Sequence, residues 1–64
     1  MFNARMTATE VWEHLGMYGQ KVGTVKVSGQ HFTDFEYEGN AYTVYRKLGK
    51  VLRVVNQTTE QEWN

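Results

Sequence analysis

Two rhythms of apolar and polar residues divide the chain. Between Thr7 and Gly16 the apolar positions Val11, Trp12 and Leu15 fall on one helical stripe, preceded by Thr7-Ala8-Thr9-Glu10. That tetrapeptide matches a capping box, in which the Thr7 hydroxyl accepts from the Glu10 backbone and the Glu10 carboxylate reaches back. Met6 and Val11 stand where a hydrophobic staple puts them, and Gly16 suits the position just past a helix end. The pattern predicts a helix over Ala8–Leu15 after a short lead-in, Met1–Met6. So short a helix is not stable alone, so the Trp12 stripe must dock on other structure.

From Lys21 onward the rhythm is that of strands. Gly19, Gly29, Gly39 and Gly49 are spaced evenly, and the last three open the dipeptides Gly29-Gln30, Gly39-Asn40 and Gly49-Lys50. Gly tolerates the positive φ that the first central position of a type II′ turn requires. The runs between, rich in Val, Tyr, Phe and Thr, read as strands Lys21–Ser28, His31–Glu38, Ala41–Leu48 and Val51–Thr58. Met17–Gln20 is a connector, and residues 59–64 form a polar tail from which Trp63 can fold back. The expected fold is α+β: one domain, a short N-terminal helix packed on a four-stranded antiparallel meander that can curl toward a small barrel.

Two-residue turns fix cross-strand neighbours, with Ser28 opposite His31, Glu38 opposite Ala41 and Leu48 opposite Val51. One face then carries Val22-Tyr37-Tyr42-Gln57, Thr24-Phe35-Val44-Val55, Lys26-Thr33-Arg46-Arg53 and Ser28-His31-Leu48-Val51. The other carries Gly23-Glu36-Thr43-Asn56, Val25-Asp34-Tyr45-Val54 and Val27-Phe32-Lys47-Leu52. Both faces are apolar in part, and one short helix covers only one of them. Curling, a second copy of the chain or a ligand has to cover the rest, unless a β-bulge exchanges residues between faces. Burying the row of Lys26, Arg46 and Arg53 is costly without partners, which places the helix on the second face. There Trp12 and Leu15 would meet Val25, Val27, Phe32, Leu52 and Val54.

Composition narrows the function. A chain of 64 residues buries only about 60% of its unfolded surface, so self-association is a ready source of added stability. With no Cys there is neither a disulfide nor a thiolate metal site, which fits a reducing compartment. A formal net charge of zero argues against gripping duplex DNA by bulk charge and against acidic DNA mimicry. No apolar run resembles a signal peptide or reaches membrane length, so a cytoplasmic protein without membrane attachment is expected. The sequon Asn56-Gln57-Thr58 is then incidental.

Candidate chemistry is sparse. Glu10 and His14 stand at i, i+4 but lack a third metal ligand. Asp34, Glu36 and Glu38 share a strand face that Lys21, Lys47 and Thr43 can offset, a charge-paired rim. Phosphate-binding glycine motifs, a nucleophile elbow and a Cys nucleophile are missing. The order helix, strand, Gly29-Gln30-His31-Phe32, strand resembles HicA-type toxins, small RNA-cleaving proteins of double-stranded-RNA-binding-domain-like fold. That resemblance implies His31 as the catalytic group, although the family's second consecutive His and closing helix have no counterpart. The helix-first order of strands is also similar to Sm-like small barrels, which assemble into rings.

The reading that combines these observations is a non-enzymatic interaction module. It binds a protein partner or itself, as a homodimer, through one sheet face, and needs no cofactor or metal. Lys26, Phe35, Tyr37, Tyr42, Arg46 and Arg53 are the expected binding residues, because they interleave aromatics with cations. The same set supports an alternative, a single-stranded nucleic-acid binder in which bases stack and Lys and Arg hold phosphates. A His31-dependent ribonuclease of toxin type is the second alternative.

Overall fold

A computed structural model describes residues 2–64. One helix, α1 (Ala8–Tyr18), precedes β1 (Gln20–Val27), β2 (Gln30–Tyr37), β3 (Asn40–Lys47), β4 (Lys50–Asn56) and the short β5 (Glu62–Trp63). The strands form one antiparallel sheet in chain order, with the helix against one side, so the α+β meander is the observed fold. It has five strands rather than four and does not close into a barrel.

The capping box forms as its sequence dictates: the Thr7 hydroxyl accepts from the Glu10 N–H, and the Thr7 N–H donates to the Glu10 carboxylate. The helix does not stop at Leu15. It runs through Gly16 and Met17 to Tyr18, and Gly19 caps it, donating its N–H to the Leu15 carbonyl at 2.8 Å. A Cβ at Gly19 would meet that same oxygen at 2.8 Å, whereas one at Gly16 would meet nothing within 4 Å. Close approach singles out Gly19, not Gly16, as the stop.

The hairpin turns also sit one residue earlier than the glycines suggest. Ser28-Gly29, Glu38-Gly39 and Leu48-Gly49 are the turn pairs, with φ of 48° and 80°, 50° and 78°, and 51° and 80°. Positive φ at both positions defines the type I′ turn, whose twist matches the strands. Val27 therefore faces Gln30, Tyr37 faces Asn40 and Lys47 faces Lys50. Because both ends of each hairpin move by one residue, side chains keep their faces even though every neighbour changes.

Two bulges alter that rule. One shifts the register between Lys21 and Gly23 in β1. The other leaves Leu52 unpaired between Val51 and Arg53, turning Val54 to the helix side opposite Val44 and Arg53 to the outer side opposite Tyr45.

The helix covers the first face, not the second. Val11, Leu15, Val44 and Val54 are fully buried, ringed by Phe2, Ala8, Phe35, Tyr42 and Trp63. Of the basic row only Arg46 is half-buried, lying against Trp12; Lys26 stays exposed and Arg53 is on the other side. The polar tail is structural: Asn56 is buried, its side-chain oxygen accepts from Thr58 N–H and Thr59 N–H, and the resulting turn returns β5 to β4. The Trp63 indole N–H then donates to the Asn3 carbonyl at 2.9 Å, and Ala8 N–H donates to Asn64 O at 2.9 Å.

Two substitutions test this account by urea unfolding. Leu48 is 86% exposed yet held at φ 51°, so Leu48→Asn should raise stability by about 1 kcal/mol, the scale of left-handed strain in a β-carbon residue. Trp63→Ala should cost about 3–5 kcal/mol, as a buried aromatic does. No loss on Trp63→Ala would refute the role of the tail.

Candidate binding surface

The two sides of the sheet have different contents. On the helix side the rows run Lys26–His31–Arg46–Val51, Thr24–Thr33–Val44–Val54–Trp63 and Lys21–Phe35–Tyr42–Asn56. On the outer side they run Val27–Gln30–Lys47–Lys50, Val25–Phe32–Tyr45–Arg53 and Gly23–Asp34–Thr43–Val55–Glu62.

The sequence-derived binding set is therefore split. Phe35 and Tyr42 are buried in the core at 6% and 4% exposure, too little ring surface for a base to stack on. Tyr37 is half-buried, and its hydroxyl shares a 2.9 Å hydrogen bond with His14 Nε2. Lys26 and Arg46 share a row with His31 on the helix side, and the Arg46 guanidinium stacks on Trp12 at 5.2 Å. Arg53 belongs to the outer side, stacked on Tyr45 at 4.4 Å and paired with Glu62 at 3.1 Å. Among the described residues no group of three or more His, Cys, Asp or Glu side chains is placed to hold a metal ion. Nor is any helix long and apolar enough to cross a membrane.

The helix side instead holds an aromatic cluster. Phe2 meets His14, Tyr37, Tyr42 and Trp63 with ring centroids 5.0–5.7 Å apart, mostly edge to face. Sequence reasoning treated Phe2 as lead-in, since a lone aromatic near a terminus carries no periodicity. Burial raises the Tyr42 phenol above its usual range, with the Glu38 carboxylate and Tyr37 adding to it. Loss of solvent likewise raises Tyr37, helped by the charge and hydrogen bond of Glu38.

The outer side is solvated but not polar. Phe32 and Tyr45 face each other across β2 and β3 with centroids 5.2 Å apart, and no helix covers them. Val25 and Val27 extend the patch onto β1 at 56% and 51% exposure. Charge is segregated around it. Lys47 and Lys50 lie at the end by the Leu48-Gly49 turn, and Asp34 and Glu36 lie toward the opposite end. Among the described residues these four make no salt bridge; Asp34 accepts only from the Thr43 hydroxyl at 2.8 Å. No protein-family model, curated protein or solved structure matches the chain, so its function is argued from this surface alone.

The raised tyrosines give a signed prediction. A phenol whose folded pKa exceeds its unfolded value contributes stability that is complete below the unfolded pKa of about 10 and is lost as pH rises through the folded value. Urea midpoints should therefore fall above about pH 10, and Tyr42→Phe should reduce the fall. A slope unaffected by Tyr42→Phe would show that this phenol does not carry the linkage.

Proposed function

We propose that the protein is a non-catalytic interaction module that pairs with a second copy of itself through the outer side of its sheet. The observation that carries this reading is the row Val25–Phe32–Tyr45, an apolar strip across three strands that the helix does not cover and that Arg53 shields only at Tyr45. Apolar strips of this kind on small domains mark association sites.

Charge selects the partner and its orientation. Two sheets can stack face to face about a two-fold axis that runs either along the strands or across them. An axis along the strands sets Lys47 and Lys50 over their own copies. An axis across the strands instead brings the lysine end of each copy over the acidic end of the other, with Lys47 beside Asp34 on the neighbouring strand, a self-complementary pairing. Four long strands at about 4.8 Å spacing and about eight residues at about 3.4 Å give a face on the order of 500 Å². Two such faces bury about 1,000 Å², the low end for a specific complex, so the dimer is weak and in the micromolar range.

Sedimentation equilibrium from about 10 to about 300 μM, a range bracketing such an affinity, tests the reading. The weight-average mass should rise from one chain toward two. Phe32→Glu and Lys47→Glu should each hold the protein monomeric, and adding Asp34→Lys to Lys47→Glu should restore the dimer by exchanging the charges. A single-chain mass throughout, or no response to Lys47→Glu, would overturn it.

A further inference from the structure

The helix leaves a second surface open, away from the outer face. It leans on β4 and barely meets β1. Between α1 and the β1–β3 part of the sheet lies an open groove of about 860 Å³, walled by Trp12, Gly16 and Met17, floored by Phe35, and bordered by Lys21 and Arg46. β1 is also the long edge of the sheet: it pairs only with β2, and all of its residues are exposed except half-buried Gly23. The other edge, β5, is two residues long.

Arg46 shows what the groove lacks. Its guanidinium lies over the Trp12 ring, its Nε–H is buried without an acceptor, and its Nη2 makes a hydrogen bond only with His31 Nδ1, at 3.5 Å, among the described residues. No carboxylate forms a salt bridge with it among the described residues. A partly buried cation without a counter-charge has surrendered hydration for little return, so an arriving carboxylate gains more there than at an exposed site. Lys21 and Lys26, both exposed on β1, extend the positive rim, against which the groove lining sets only Glu13.

We propose that this groove and the free edge of β1 together bind an extended acidic peptide segment, which adds as a sixth strand and presents carboxylates to Arg46 and the β1 lysines. A row of unpaired backbone N–H and C=O groups is completed by another peptide backbone, while alternate side chains enter the adjoining groove. Lysines and a bulge on an edge strand discourage pairing with an identical strand, so the second copy is the wrong partner here and an acidic one the right partner. Nucleic acid offers charge but no matching ladder, and Phe35 and Tyr42 are buried.

Amide mapping by NMR on the full chain tests the proposal with three probes: acetyl-(Glu-Leu)4-amide, acetyl-(Lys-Leu)4-amide and an oligothymidylate of eight nucleotides. The acidic peptide should give saturable shifts over residues 20–27 and at the Trp12 indole, and bind about tenfold more tightly than the basic one. Lys21→Glu and Arg46→Gln should each weaken it severalfold. Gly16 is exposed with free space around it, so Gly16→Leu should fill the groove and abolish binding while the remaining spectrum stays folded. Lys47→Glu, on the outer face, should leave binding unchanged, which separates this site from self-association. Equal binding of both peptides, shifts centred on Phe32 and Tyr45, tighter binding of the oligonucleotide at the same residues, or no saturable shift would each overturn it.

Discussion

The indole of Trp63 decides which side of this sheet becomes the interior. It sits opposite Val54 in β5, packs on Phe2 and Tyr42, and donates its N–H to the Asn3 carbonyl. One side chain thereby joins the first described residues to the last strand, and Ala8 N–H closes the same seam on Asn64. The start of α1 is tethered at the β4–β5 end of the sheet as a consequence. The helix of eleven residues, about 16 Å long at 1.5 Å per residue, then leans mainly on β4 and meets β1 only sparsely before Gly19 links the two. The open groove beside β1 and the uncovered outer face both follow from where that tether lies.

Much of the architecture was legible because local signals and tertiary structure agree. Thr7 and Glu10 announced the helix start by chemistry that operates within a single turn. The evenly spaced glycines announced the hairpins. What failed was finer. A glycine at positive φ serves either the first position of a II′ turn or the second of an I′ turn, and the chain uses the second, placing Ser28, Glu38 and Leu48 in strained backbone. Nothing about Leu48 as a residue type signals this. The Leu52 bulge was equally silent, and it moves Val54 and Arg53 to opposite sides from those the alternation implies.

The choice of helix face shows why a cost argument can mislead. Placing the helix away from Lys26, Arg46 and Arg53 assumed that the three stay in one row. The bulge removes Arg53, Lys26 lies on the uncovered strand, and Arg46 finds the Trp12 ring. The anticipated penalty is mostly avoided, and Phe35 and Tyr42 join the core. Trp63 was expected to be able to fold back, and it does; Phe2 was the hardest to assign, since it matters through contacts as far along the chain as Trp63.

One side of this sheet is finished by its own helix and the other is not, and we propose that another copy covers it. Isotope-filtered NOE spectroscopy on a mixed sample, one portion labelled with 13C and 15N and the other unlabelled, tests that most directly. The account predicts intermolecular cross-peaks between the Phe32 ring of one copy and the Phe32 ring and Val25 methyls of the other, and between Lys47 and Asp34 side chains. Cross-peaks confined to other surfaces, or none at concentrations where the mass is that of a dimer, would contradict it.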